Sequence, residues 1–98
     1  MISKSEKPPL FPLGAVLATK GALDLIEQTG TNAVELLMRH VSGDWGVVCE
    51  TDALLNDLAV AAGERVLSSY EIGPSQERIW VITEADRSAT TLLRPEEY

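Results

Sequence analysis

Arg78-Ile79-Trp80-Val81-Ile82-Thr83-Glu84 sets the architecture of this chain. Its β-branched and aromatic residues favour a strand. Both faces of that strand are apolar, with Trp80 and Ile82 on one and Ile79 and Val81 on the other. Side chains alternate across a strand, so this one needs cover above and below and belongs at the centre of a sheet. Working outward, Gly73-Pro74-Ser75-Gln76 and Ala85-Asp86-Arg87-Ser88 hold the residues that turns require. The runs beyond them, 65–72 and 89–93, read as neighbouring strands, giving a three-stranded antiparallel meander.

Ahead of the meander the spacing becomes helical. Thr51 and Asp52 open a helix, Leu55, Leu58, Ala59 and Ala62 form its expected buried stripe, and Gly63 ends it. Asp52 and Asn56, four residues apart, are expected together on its exposed flank. Before it, Thr31 or Asn32 caps a helix whose Val34, Leu37, Met38 and Val41 predict a buried face, closed by Gly43. Earlier still, residues 22–28 set Leu23 and Ile26 against Asp24 and Glu27 and stop at Gly30. Residues 14–19 read as a short buried strand. Residues 1–12 read as an extended arm, because Pro8, Pro9 and Pro12 lack amide donors and restrict their predecessors, while Leu10, Phe11 and Leu13 can anchor it. The prediction is one α+β domain over 13–98, in the order β-α-α-α-β-β-β. About three helices lie on one face of a small antiparallel sheet made of the meander and the short N-terminal strand.

A chain of 98 residues, 45% apolar and 23% charged, has room for one core. No apolar run approaches the roughly 20 residues that span a bilayer. Met1 to Lys7 lacks a secretory apolar core, so a cytoplasmic protein without membrane contact is expected. The single cysteine, Cys49, excludes an internal disulfide and a multi-cysteine zinc framework, and is expected to be a small buried hydrophobe. A net charge of −7, with basic residues scattered along the chain, disfavours direct nucleic-acid binding.

The densest chemistry is Arg39-His40-Val41-Ser42-Gly43-Asp44-Trp45-Gly46, which holds the only histidine. His40 and Asp44 could pair as a base and its orienting carboxylate, or ligate a metal with Cys49, Glu50 or Asp52. Each residue also has a structural role available: His40 favoured by a helix C-terminus, Gly43 as a cap, Asp44 in a turn bond, Trp45 in the core. Only His40-x-x-x-Asp44 has regular spacing, and no serine lies in a nucleophile-elbow context, so no catalytic set, metal or cofactor is expected. The turn Asp86-Arg87-Ser88 is a second candidate, where Arg87 could grip an anion or simply pair with Glu84 or an acidic helix end. Arg39, His40, Asp44, Trp45, Asp52, Asn56, Asp86, Arg87 and Ser88 are therefore the candidate partner-binding residues.

Phe11-Pro12-Leu13-Gly14 through Leu23, the run from Arg39 to Gly46, Leu67-Ser68-Ser69-Tyr70, the run from Trp80 to Leu93, and Pro95-Glu96-Glu97-Tyr98 together resemble a known family. Its members are small bacterial proteins of plasmids, prophages and other mobile elements, called plasmid-related proteins or subunit M of a type I restriction endonuclease. This chain departs from the resemblance at Lys20, where proline is expected, which leaves the start of the first helix open. A methyltransferase subunit needs a larger fold and an Asn-Pro-Pro-aromatic motif, and neither fits these 98 residues. The resemblance thus implies a setting, mobile DNA and host defence, rather than methyl transfer.

The functional expectation is a non-enzymatic accessory protein of mobile genetic elements that binds, and could inhibit, a host or element-encoded nucleic-acid-handling or defence complex, of restriction or CRISPR type, through an acidic surface that imitates nucleic acid. A small metal enzyme or sensor centred on His40 and Asp44, or a nucleic-acid-binding regulator, are the alternatives. A sheet edge at 14–19 or 89–93 could also pair two copies.

Overall fold

The computed structural model describes residues 8–98; residues 1–7, which include most of the expected arm, lie outside the described part. The elements are β1 (Ala15–Ala18), α1 (Lys20–Thr29), α2 (Ala33–Val41), α3 (Glu50–Ala62), β2 (Val66–Ile72), β3 (Glu77–Thr83) and β4 (Ala89–Leu93), followed by a 3-10 turn over Pro95–Glu97. The α+β class and the predicted order hold. The sheet order is β1-β4-β3-β2, so β3 is interior as its two apolar faces require, and β4 is interior too. Of the two strands considered for a free edge, only the N-terminal one is an edge.

One expectation is corrected. The sheet is mixed, because β1 runs parallel to β4 with Ala15 beside Ala89, while β2–β3 and β3–β4 are antiparallel. Tight turns force antiparallel neighbours. No such turn joins β1 to β4: three helices and two strands lie between them in the chain, so either direction is sterically open to β1.

α1 and α2 cover one face of the sheet. Ala22, Leu25, Leu36 and Leu37 pack on Tyr70, Ile72, Ile79, Val81 and Leu92. A second cluster of Phe11, Val41, Trp45, Ala59 and Val66 joins the arm, the end of α2 and α3. The backbone of Leu10 donates to Val41 O at 2.8 Å, which ties the arm down as its apolar residues suggested.

Each helix is rotated from its predicted face. α1 starts at Lys20 behind the N-cap Thr19 and leaves Leu23 exposed. α2 has its cap at Asn32 as predicted, but buries Leu36, Leu37, His40 and Val41 and exposes Val34 and Met38. The largest reversal is in α3. It buries Asn56 and Ala59, whereas Leu54, Leu55 and Leu58 are 64%, 56% and 66% exposed. Ala62 is exposed as well.

The C-terminus is more than an acidic tail. Glu97 accepts hydrogen bonds from Thr19 Oγ1 at 2.6 Å and from the Gly21 amide at 3.2 Å, placing a carboxylate on the open amides of α1. These bonds hold the Glu97 carboxyl below its usual range. Tyr98 meets the Trp80 ring edge-on at 5.6 Å on the sheet face away from α1 and α2.

Candidate functional site

His40 is fully buried between Phe11 and Trp45, whose ring centroids lie 5.2 Å and 6.0 Å away. Its Nδ1 contacts Ser68 Oγ at 2.6 Å and its Nε2 contacts Thr83 Oγ1 at 2.9 Å. The proton positions follow from the end of this chain of contacts. Thr90 Oγ1 donates its only proton to Leu13 O at 2.7 Å, so Thr83 must donate to Thr90 across their 2.7 Å contact. Thr83 then has only acceptor capacity left for His40, and Nε2 carries the hydrogen. In the neutral ring Nδ1 accepts from Ser68. Burial, with the positive charge of Arg87 adding to it, lowers the imidazole pKa to about 4. The expectation of a dipole-favoured histidine at the helix end is therefore corrected: His40 is interior, and its burial favours the neutral ring. It makes no pair with Asp44.

Asp44 is held by Arg39 instead, through Nε to Oδ2 at 2.7 Å and Nη2 to Oδ1 at 3.3 Å. The guanidinium also lies 4.5 Å over the Tyr70 ring, and Tyr70 OH donates to the Asp44 carbonyl at 2.6 Å. The Arg39 hydrogen bond keeps the Asp44 carboxyl below its normal range, and the same contact raises Arg39. Burial pushes the Tyr70 hydroxyl up to about 12. Asp44 Oδ1 accepts from the Gly46 amide at 3.2 Å, the local turn bond that the sequence suggested.

This turn aims the next residues along the outer edge of β2. Ser69 N donates to Trp45 O at 3.0 Å and Val47 N donates to Ser69 O at 2.7 Å, with Gly46 bridged to Ser69 in parallel. Trp45 is in the core as expected, and its Nε1 donates to Asp57 at 3.0 Å. Asn56 completes the edge. Its amide donates to Leu67 O at 2.8 Å and accepts from Leu67 N at 3.1 Å. Asn56 is thus a buried edge clamp and not an exposed contact beside Asp52. Asn56→Ala would leave both groups without partners, and urea titration should show a loss of about 2–3 kcal/mol. A loss below about 0.5 kcal/mol would mean that Leu67 is not held this way.

The second candidate turn is also structural. Asp86 Oδ1 accepts from the Ser88 amide at 2.9 Å. Arg87 adopts φ 61° and points back over Phe11, 5.2 Å from the ring centroid. It donates to the carbonyls of Glu64 at 2.7 Å, Glu84 at 3.2 Å and Ala59 at 3.2 Å. Of the two structural partners expected for Arg87, the Glu84 side chain is not met and a helix end is, through backbone carbonyls: Arg87 serves as the cation at the C-terminal end of α3.

No family model matches the chain, and no curated protein or solved structure matches it. Asp52 is exposed and lines a hollow with Val48, Leu55, Asn56, Arg65 and Leu67. Cys49, expected in the interior, is exposed at the N-cap of α3. Among the described residues no three His, Cys, Asp or Glu side chains converge.

The candidates therefore separate into three groups. Trp45, Asn56, Arg87 and His40 hold the fold, Arg39 with Asp44 and Asp86 with Ser88 close turns, and Asp52 stands beside the exposed Leu55. Ser68, Thr83, Thr90 and the outward face of α3 were outside the sequence candidates. Alternation in Val66–Ile72 places Ser68 on the core face, which was the available signal.

Proposed function

We propose that the protein is a non-enzymatic accessory of mobile genetic elements, which binds a host or element-encoded nucleic-acid-handling complex of restriction or CRISPR type and inhibits it. One observation carries this reading: α3 turns its leucines to solvent. Thr51, Leu54, Leu58 and Ala61 recur at a 3-4-3 spacing on the side away from Asn56 and Ala59, and Leu55 widens the stripe. That spacing is the seam one helix offers another. Exposed apolar surface this concentrated is characteristic of a binding site.

The chemistry of the occupant follows from the charges that α3 itself carries, although Arg65 and Glu64 also flank Leu55 and Leu58. The ionisable residues of α3 are Glu50, Asp52 and Asp57, all acids. A second copy would set acids against acids, whereas an amphipathic helix flanked by Lys or Arg is complementary. Proteins that grip phosphates carry such basic surfaces. A net charge of −7 on this chain adds steering toward them.

The test is phage plating on hosts that carry one defined restriction or CRISPR system each. The chain should restore plating on at least one of them. Leu54→Lys with Leu58→Lys should weaken binding to that complex by about 100-fold or more, since each leucine loses about 1.5 kcal/mol or more of apolar burial. Thermal melting should be unchanged because both side chains are exposed. Affinity should also fall as salt rises. Unchanged plating against every system, or full activity of the double variant, would sink the proposal.

A further inference from the structure

We infer that β1 is a self-pairing edge: two copies join β1 to β1 antiparallel about a two-fold axis through Leu17, fusing their sheets into one of eight strands. This surface is separate from α3, so the inference stands or falls independently of the proposed function.

The two edges of the sheet are treated differently. At β2 the outward amide and carbonyl of Leu67 are taken by Asn56, and those of Ser69 by Trp45 and Val47. At β1, Ala15 N donates to Ser88 O at 2.9 Å and Thr19 N to Leu92 O at 3.0 Å. The period of two therefore turns the backbone groups of Val16 and Ala18 outward. Among the described residues nothing covers them. Val16 and Leu17, which point to opposite faces, are 48% and 54% exposed. Natural edges usually carry charge, proline or a bulge against such pairing. Ala15-Val16-Leu17-Ala18 has none of these.

Three features select a second copy as the occupant. The first is self-complementarity. With Leu17 on the axis, Val16 faces Ala18 of the other copy, and these outward groups make reciprocal hydrogen bonds. The two Leu17 side chains then meet as a non-hydrogen-bonded pair, the closest kind. The second is charge. β1 itself carries no ionisable residue, and Glu97 sits on Thr19 just past its end. Lys20, the first ionisable residue after β1 in sequence, is paired with Asp24 at 3.3 Å and falls level with Gly14 of the other copy. The two Lys20 residues are then about 20 Å apart, well beyond the Debye length of about 8 Å. The third is closure. Because β2 is blocked, a β1-to-β2 chain of copies cannot grow, and sheet pairing stops at two. A four-residue pairing is smaller than the roughly 800 Å² per partner of a standard interface, so the dimer is dissociable.

Size exclusion with light scattering on the full chain should give a mass of about twice 10.6 kDa that falls to the monomer value on dilution. Leu17→Lys places two ammonium groups across the axis and should raise the dissociation constant at least about tenfold, with melting of the monomer unchanged. In a Cys49→Ser background, Leu17→Cys should oxidise to a covalent dimer far faster than Val16→Cys, which does not face its own copy. A chain that stays monomeric at every concentration overturns the inference, whether its edge is empty, covered by residues 1–7 or reserved for a foreign strand. So does a dimer indifferent to Leu17→Lys, or one that Leu54→Lys with Leu58→Lys breaks instead.

Discussion

Alanine at position 46 is expected to lower stability by about 3–5 kcal/mol, a loss reserved for a few named mechanisms. Gly46 has φ 78°, and a Cβ built there would sit 1.9 Å from Ser69 O and 2.8 Å from Tyr70 Cδ1. The obstacle at Ser69 is backbone, so the 45–47 segment would have to leave the β2 edge. Its bonds from Ser69 to Trp45 and from Val47 to Ser69 would go with it, at a net of about 1 kcal/mol each. The positive φ adds about 1 kcal/mol. Trp45, buried on Phe11 and Val41, would lose part of its packing. Gly30 supplies the control, since it shares the left-handed conformation at φ 68° but has open space around it. Gly30→Ala should cost only about 1 kcal/mol. Equal losses for the two variants in urea would show that conformation alone matters at Gly46 and that the edge cover contributes nothing.

The same comparison explains what could be read from the sequence. Gly30 and Gly63 ended helices visibly, and the two apolar faces of β3 placed it inside the sheet, because these signals are local. The direction of β1 is not local. Its neighbour β4 lies about seventy residues on, and no turn constrains the pair. α3 failed for another reason. Its leucines and alanines cover more than half of its circumference, so periodicity does not say which side faces in. Asn56 decides the matter, through hydrogen bonds to a strand eleven residues away that leave no mark in a hydropathy pattern. At the candidate site the turn chemistry of Asp44 and Asp86 was legible, while the close approach of Gly46 to Ser69 was not. The partners of His40 were not, being 28 and 43 residues distant. A histidine near a helix C-terminus reads as a cation until the threonines and serine that keep it neutral are placed around it.

That neutrality makes the second large prediction, a dependence of stability on pH governed by one residue. His40 is the only histidine in the chain. Its ring titrates near 6.5 when unfolded and at about 4 when folded. Between those values the unfolded chain binds the proton and the folded chain does not, so stability rises with pH across that window. Above pH 6.5 the ring is neutral in both states and contributes no slope. As pH falls from 7, about 2 kcal/mol should be lost by pH 5 and about 3 kcal/mol by pH 4. Below that the folded ring is protonated too, and the further loss comes from Asp44, Asp86 and Glu97, whose folded carboxyl groups titrate below their usual range. His40→Ala separates the contributions. It should cost about 3–5 kcal/mol at pH 7, from the cavity beside Phe11 and Trp45 and from the unpaired hydroxyls of Ser68 and Thr83. It should also abolish the slope between pH 5 and 6.5 while retaining the acid loss below. Urea titrations of both proteins across pH 3.5 to 8 measure this directly. A wild-type slope that survives His40→Ala in the upper window would assign it to another group. A flat wild-type profile there would mean that water reaches the imidazole, and the hydroxyl chain from Ser68 to Leu13 would not be the closed, proton-ordered array that the distances describe.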